Sequence, residues 1–370
     1  MRYLATTGMG IEGILKNELI LLGMMVDSVE PGYVVYEGAD DDFILSNLSL
    51  RTADRVFLIL DEFKAETFDE LFDSLVEYPF EDLLGPEANI IVNAKSFQSE
   101  LFSLRNIQQI SKKAIVTRLG RVYSLNVLPE TGPAYPFMIR IDRNLVRVLL
   151  DTTGEPLHRR GYRISGKLAP IRENLAASLV LMSRYFGKGP LIDPMCGSGT
   201  IAIEAAMIAR DIPPGHQRSF QFEEWFETNR DQIQAGLMSR VKPKAEHPIQ
   251  GFDIDPAAIR LAVKNAKEAG VYQDIELAAG DVQDFTTEQI GGTIVTNAPY
   301  GARMGSDKEV SQLEQAFKDR LLTLETFRLG LLLGNSTFSR GLRRRPNKVR
   351  KLYNGRLIAY FYQFEPTRRW

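Results

Sequence analysis

Residues 190–200 read PLIDPMCGSGT, and this stretch decides the fold. Leu191 and Ile192 form a short apolar strand that runs into an acid, Asp193, and then into a loop of small residues. The residues that follow, TIAIEAAMIAR (200–210), have the pattern of a helix. A strand, a glycine-containing loop and a helix in this order are typical of a parallel sheet covered by helices.

The same alternation continues toward the C-terminus. A leading helix is predicted at 172–186, and IQGFDIDP (249–256) repeats the step from strand to acid before a helix at 257–270. Further apolar runs predict four more strands, which read IELAAGDV (275–282), GGTIVTNAPYG (291–301), RLGLLLGN (328–335) and RLIAYFYQF (356–364). The second half of the chain is therefore expected to be an α/β domain with a mostly parallel, Rossmann-like sheet.

Three acids follow successive strands: Asp193, Asp253 and Asp281. In an open parallel sheet, ligands bind beyond the carboxyl ends of the strands, so these acids should share one edge. A carboxylate after the second strand can accept both hydroxyls of a ribose, and the third acid can accept from an adenine amine. Asp255, which precedes Pro256 and a helix, is better interpreted as a helix N-cap.

The glycine loop indicates which nucleoside would bind. It lacks both the G-x-G-x-x-G of dinucleotide sites and the Gly-Lys-Ser/Thr of a P-loop. S-adenosylmethionine fits better, since Asp193 and the amides of Gly197–Thr200 could bind its methionine end while Ile254 packs on the adenine. Cys196 is interpreted as a small pocket-lining residue. The candidate cofactor residues are Asp193, Pro194, Cys196, Gly197, Gly199, Thr200, Asp253, Ile254, Asp281, Val282 and Asn297.

Residues 296–303, TNAPYGAR, follow the fourth strand and suggest a reaction. An amide oxygen and a backbone carbonyl can both accept from an exocyclic amine and hold its nitrogen in line with a methyl donor. We expect Asn297 to supply the amide, Ala298 the carbonyl and Pro299 a rigid turn. Tyr300 would stack on an extruded base. No general base is evident in the sequence.

The composition limits the classes of protein to which the chain could belong. The chain has 370 residues, a formal charge of −2, one cysteine and three histidines, so a disulfide framework or a Cys/His metal site is not expected. No apolar stretch approaches the ~20 residues that a membrane span needs. The N-terminus lacks a secretory pattern. We expect a cytoplasmic protein with no membrane or metal partner.

The first half is expected to be α+β. Residues 1–60 contain short strand and helix signals, and residues 61–155 follow the order helix, strand, helix (103–120, ending at Gly120) and long strands. The strands at 137–151 alternate basic and apolar residues, which predicts that Arg140 and Arg147 face solvent. Basic residues also cluster at 156–170, just before the α/β domain at 171–370, and at 340–351 within that domain.

Several motifs together resemble a known family. NAPY looks like the NPPY-type motif of amino-methyltransferases, with Ala298 replacing a proline and leaving the backbone there less restricted. The first half resembles a ferredoxin-like subdomain (1–60) followed by a THUMP RNA-binding domain (61–155). EPLHRRGYRISGKLAPIRENLAAS (155–178), DIPPGHQRSFQFEEWF (211–226) and KLYNGRLIAYFYQF (351–364) are similar to segments of THUMP-containing guanine-N2 RNA methyltransferases.

The resemblance spans the chain and is strongest to enzymes that methylate 23S ribosomal RNA. It implies a class I methyltransferase domain with a seven-stranded sheet, an insertion at 211–247, S-adenosylmethionine as cofactor and structured RNA (rRNA or tRNA) as partner. It also implies that Glu173 and Asn174 lie against the methionine end of the cofactor. The candidate RNA-binding residues are Arg140, Arg159, Arg160, Arg163, Lys167, Arg343, Arg344 and Arg345.

Three alternatives remain open at this stage. A tRNA guanine-N2 methyltransferase would share both halves of the chain. A DNA adenine-N6 methyltransferase would use the same NPPY-type chemistry, although the THUMP-like half argues against it. A non-catalytic RNA-binding protein is the third, and Ala298 is its sole support in the sequence.

Overall fold

The computed structural model describes residues 1–164, 171–225, 228–299, 307–355 and 357–368. These residues form two seven-stranded sheets, one in each half of the chain. The first has the order β2-β3-β1-β4-β7-β6-β5. Its strands are β1 (Arg2–Thr7), β2 (Met25–Glu30), β3 (Tyr33–Glu37), β4 (Ala53–Lys64), β5 (Asn89–Phe97), β6 (Ala134–Asp142) and β7 (Leu145–Asp151).

Helices and a large apolar core cover one face of this sheet. The opposite face carries a smaller cluster that includes Leu4, Tyr33 and Phe57, as expected when alternate residues of a strand point to opposite sides. Four helices belong to this half: α1 (Glu12–Leu21), α2 (Asp42–Ser49), α3 (Phe68–Glu77) and α4 (Leu104–Tyr123).

Two details of this half differ from the sequence prediction. β4 continues through residue 60, so the expected boundary between the two N-terminal regions falls inside a strand of a shared sheet. The prediction that α4 ends at Gly120 is wrong, because the helix runs to Tyr123. Ser124 caps it in the left-handed conformation with φ of 55°, a position that glycine favours but does not monopolise.

The second sheet confirms the expected methyltransferase-like α/β fold, with the order β10-β9-β8-β11-β12-β14-β13. Its strands are parallel except for β14, which pairs antiparallel with both of its neighbours. The strands are β8 (Leu191–Asp193), β9 (Ile249–Asp253), β10 (Ile275–Ala279), β11 (Gly292–Asn297), β12 (Phe327–Leu333), β13 (Lys348–Asn354) and β14 (Leu357–Phe364). The helices are α5 (Glu173–Met182), α6 (Thr200–Ala209), α7 (Arg230–Met238), α8 (Pro256–Glu268) and α9 (Asp307–Ala316).

The insertion at 211–247 packs against the first half of the chain. Phe222 contacts the ring of Phe43 edge-on with centroids 5.1 Å apart, and Trp225 stacks on Tyr135 at 5.1 Å. Phe220 and Phe222 belong to the apolar core of the N-terminal half. The insertion therefore ties the two halves together.

No helix in the described part of the chain is long and apolar enough to cross a bilayer.

Candidate functional site

Strand register brings the predicted site residues to one sheet edge. Asp193, at the end of β8, pairs with Gly251 of β9, and Asp253 ends that neighbouring strand. Asn297 ends β11, on the other side of β8. A cavity of about 270 Å³ lies at this edge. Its lining includes eight residues that the sequence predicts for the site: Asp193, Cys196, Gly197, Thr200, Asp253, Ile254, Asn297 and Pro299. The other lining residues are Ile171, Met195, Ser198, Ile201, Ala258 and Leu261.

Asp193 lies at the floor of this cavity and is almost fully buried. Burial raises the pKa of its carboxyl to about 7, and a hydrogen bond from the Met195 N–H at 3.2 Å opposes that shift only partly. Burial also raises the pKa of the Cys196 thiol, and the carboxylates of Asp193 and Asp253 act in the same direction. Because a thiolate is disfavoured here, Cys196 is suited to lining the cavity rather than to nucleophilic attack.

Asp253 joins two loops at the rim. One carboxylate oxygen accepts from the Gly197 N–H at 2.8 Å, and the other accepts from the Asp255 N–H at 2.9 Å. A carboxylate has about four acceptor positions, so capacity remains for two ribose hydroxyls. Asp255 accepts from the Ala257 N–H at the start of α8, as expected of an N-cap. Ile254 is 69% exposed beside the cavity, where an adenine ring would cover it.

The glycine loop is held against α8 from outside the cavity. Gly199 has φ of +80°, and an added Cβ would come within 2.9 Å of the Ala262 Cβ on that helix. The buried Asn265 side chain donates to the Ser198 carbonyl at 3.0 Å and accepts from the Ile164 N–H at 3.1 Å. Sequence reasoning missed Asn265, since it lies within a helix whose pattern carries no sign of this tertiary contact.

Asn297 lines the cavity. Its side-chain oxygen is buried and has no hydrogen-bond partner among the described residues, and such an atom costs free energy unless something donates to it. The neighbouring Ala298 is buried, and its N–H donates to the Leu332 carbonyl at 3.1 Å. A proline could not make that bond, so the β11–β12 ladder holds the backbone at Ala298 where the sequence suggested a less restricted loop. Tyr300 lies outside the described residues.

The other predicted cofactor residues do not line this cavity. Glu173 forms an ion pair with Arg163 at 3.0 Å, and Asn174 donates to Asp54 of the first half at 2.9 Å. Pro194 is buried in the loop and Val282 in the apolar cluster beneath it. Asp281 accepts from the Gln283 N–H at 2.9 Å and thereby caps a short turn.

Three arginines expected at an RNA surface are instead structural. Arg160 is 2% exposed, forms an ion pair with Glu204 at 3.6 Å and donates to the Leu157 carbonyl at 2.6 Å. Arg344 donates to the carbonyls of three segments, among them Phe327 at 2.7 Å. Arg140 forms an ion pair with Asp142 and lies 4.1 Å from the centre of the Tyr33 ring. Each guanidinium is thus engaged by partners within the fold, which leaves it less able to bind an RNA phosphate.

The remaining basic candidates differ in accessibility. Arg163 is tied to Glu173 and to the Ile171 carbonyl at 2.8 Å. Arg159 is exposed in an ion pair with Glu155, and Arg343 and Arg345 are exposed on the loop before β13. Lys167 lies outside the described residues. Arg147, predicted on a solvent face, is largely buried in an ion pair with Glu62.

Glu204 is a buried structural residue that the sequence could have revealed. It is the one charged side chain between Thr200 and Ala209, in an otherwise apolar helix, and it is fully buried. Its carboxylate accepts from the Tyr162 hydroxyl at 3.0 Å and pairs with Arg160. Arg160 in turn donates to the Arg51 carbonyl of the first half, so this ion pair connects the two halves.

Among the described residues no cluster of His, Cys, Asp or Glu side chains could hold a metal ion.

Comparison with known proteins places this geometry in context. Residues 160–360 match the model of the RMKL-like methyltransferase domain, and residues 2–57 match that of the RlmL ferredoxin-like domain. The chain is 38% identical to "Putative RNA methyltransferase YpsC" of Bacillus subtilis (strain 168), over 98% of this chain and 95% of that protein. It is 31% identical to ribosomal RNA large subunit methyltransferase K/L of Syntrophotalea carbinolica, over 99% of this chain and 53% of that protein.

A solved structure extends these similarities. The crystal structure of SMU.472, "a putative methyltransferase complexed with SAH", aligns with a TM-score of 0.91 and 38% identity, over 99% of this chain and 98% of that one. The chain thus spans nearly the whole of YpsC and SMU.472, and about half the length of the K/L protein.

Adjacent arginines give a matched test of the buried ion pair. We expect Arg160→Ala to lower the free energy of unfolding by about 3–5 kcal/mol, because it leaves the Glu204 carboxylate buried without its cation. Arg159→Ala, which removes an exposed ion pair, should change it by less than ~0.5 kcal/mol. Urea denaturation of both variants measures the difference. Equal effects would contradict the structural role of Arg160.

Proposed function

Because the chain belongs to the RMKL-like methyltransferase domain family and therefore uses S-adenosylmethionine, we propose that it methylates the exocyclic N2 amine of a guanine in large-subunit ribosomal RNA. The observation that carries this proposal is that Asn297 lines the cavity and that its side-chain oxygen is buried with no hydrogen-bond partner among the described residues. An exocyclic amine is the type of donor that satisfies such an oxygen, and the adjacent Ala298 carbonyl offers a second acceptor.

The cavity residues fit the parts of S-adenosylmethionine. Asp193 would bind its ammonium, the glycine-loop amides its carboxylate, Asp253 its ribose and Ile254 its adenine. When bound, this cofactor supplies an electrophilic methyl group on a sulfonium. Asn297 and Ala298 orient the amine and draw its nitrogen toward sp³ geometry, so the contribution of the chain is positioning and electrostatics.

RNA as the substrate is supported by the names of the relatives and by two features of the surface. A groove of about 880 Å³ lies between the first sheet and the insertion, and its lining carries three arginines (Arg55, Arg159 and Arg218) together with three carboxylates (Asp151, Glu155 and Glu224). Arg343 and Arg345 add exposed positive charge on the loop before β13. Such a surface would hold structured RNA through phosphate and shape contacts.

The proposal is tested by nucleoside mapping. Ribosomal RNA and tRNA from a strain lacking this gene are digested, and N2-methylguanosine is quantified by mass spectrometry before and after incubation with the purified protein and S-adenosylmethionine. We expect one large-subunit site to lose the modification in the strain and to regain it with the protein. Restoration in tRNA alone, or methylation of adenine, would overturn the proposal.

The role of Asn297 has its own test. We expect Asn297→Ala to keep its affinity for S-adenosylmethionine within about twofold and to lower kcat by about 100-fold or more, because an acceptor that positions the amine is lost. Calorimetry and single-turnover methylation of the rRNA from the deletion strain measure the two quantities. Asn347→Ala, at an exposed position after the basic loop, is the matched control and should retain turnover. Full activity of Asn297→Ala would refute the assignment.

The raised pKa of Asp193 predicts a pH dependence of cofactor binding. When the pH is below the pKa of about 7, the Asp193 carboxyl is mostly protonated and neutral, so it cannot pair with an ammonium. At pH 6 only about a tenth of it is ionised. Affinity for S-adenosylmethionine should therefore rise by roughly 5- to 10-fold between pH 6 and pH 7.5. Asp193→Asn should bind more weakly and show no such rise. A flat profile for the unmodified protein, measured by calorimetry, would contradict this prediction.

A further inference from the structure

A second cavity adjoins the one at the strand ends, where Asp193 and Asn297 lie. It has a volume of about 390 Å³, and Pro299 lines both. Its walls are largely apolar and come from Val310, Leu313, Phe317 and Leu333. Flat apolar walls beside the Ala298 carbonyl suit the faces of a purine whose amine has reached Asn297.

Two carboxylates line this cavity, Glu309 and Glu314. Glu309 is exposed in the first turn of α9, whereas Glu314 is half-buried near the end of that helix. Desolvation strengthens hydrogen bonds to a charged acceptor, so Glu314 is the carboxylate better placed to read a base.

The orientation of Glu314 is fixed by Asn335. The Asn335 side-chain nitrogen donates to one Glu314 oxygen at 2.7 Å. The side-chain oxygen of Asn335 accepts from both the N–H and the hydroxyl of Thr337, each at 2.8 Å. The Tyr362 hydroxyl donates to the Asn335 carbonyl at 2.7 Å. Asn335 therefore cannot rotate freely, and the Glu314 carboxylate is held with acceptor capacity to spare.

We propose that Glu314 selects guanine by accepting a hydrogen bond from its N1–H, an inference that rests on the proposed function. On the Watson–Crick edge of guanine, N1–H is next to the N2 amine. With that amine at Asn297 and Ala298 and the ring seated in the second cavity, N1–H would be directed toward Glu314, which lines it. Adenine carries a lone pair at N1, which would face the carboxylate and be repelled. Glu314 is thus the residue that separates guanine from other amine-bearing purines.

The test uses 2-aminopurine, which keeps the amine at C2 but has a lone pair in place of N1–H. Two synthetic RNAs span the guanine located by nucleoside mapping and carry either guanine or 2-aminopurine there. We expect the unmodified protein to prefer guanine by at least ~100-fold in kcat/KM, because a buried acceptor rejects a base that lacks its donor. In Glu314→Gln the amide NH₂ can donate to N1 of 2-aminopurine, so this preference should fall to about 10-fold or less.

A purely structural role for Glu314 would lower kcat/KM for both RNAs by the same factor and would overturn the inference. Asp319→Asn, the same chemical change at an exposed position beyond the cavity lining, is the matched control and should keep the guanine preference. Glu309→Gln should also keep the guanine preference. If the preference is lost in Glu309→Gln and kept in Glu314→Gln, the role belongs to Glu309 and the assignment to Glu314 is refuted. Calorimetry with S-adenosylmethionine checks that each variant is folded.

The outcomes also separate the inference from the proposed function. If the unmodified protein methylates neither RNA, the proposed function and the role of Glu314 both fail. If it methylates guanine and 2-aminopurine equally well, the proposed N2 chemistry stands and the role of Glu314 fails.

Discussion

The site depends on one carboxylate that bridges two loops. Asp253 ends β9, yet it accepts from the N–H of Gly197 in the loop after β8 as well as from its own neighbour Asp255. Two hydrogen bonds to a charged acceptor fix both loops more firmly than neutral ones would. Gly199, packed against α8, and Asn265, bonded to the Ser198 carbonyl, hold the same loop from the other side. The cavity is thus preorganised by Asp253, which lines it, and by contacts that hold the glycine loop against α8.

The part of this arrangement that the sequence predicts is the part set by local pattern. Apolar runs that end in an acid place Asp193 and Asp253 at strand termini, and parallel strands bring their termini to one edge. The same logic places Asn297, because β11 ends there. The identity of residue 298 was harder to interpret. In the sequence, Ala298 stands where the NPPY-type motif has a proline. In the fold, its N–H donates a hydrogen bond that extends the β11–β12 ladder, which a proline could not do.

The roles of charged side chains are where sequence reasoning falls short. Arg159 and Arg160 are neighbours of the same type, yet one is exposed and the other is 2% exposed against Glu204. No periodicity distinguishes them, because the difference is made by α6, which is distant in the chain. Glu204 itself was detectable as a lone charge in an apolar helix. A basic run therefore predicts an RNA surface only after its partners in the fold are known.

Asp193 shows why such a site must be supported by the rest of the fold. Its pKa is about 7 in the folded chain and about 4 when exposed. A carboxyl with a raised pKa favours folding at low pH, and that advantage is lost as pH rises through 7, so above pH 7 its ionisation disfavours folding by on the order of 4 kcal/mol. A cationic group placed beside it would reverse much of this penalty. A hydrogen-bond donor would do the same for the oxygen of Asn297, which has no partner among the residues that the structure describes. Both residues are locally unfavourable on their own, and the groups that we propose they bind would offset that cost.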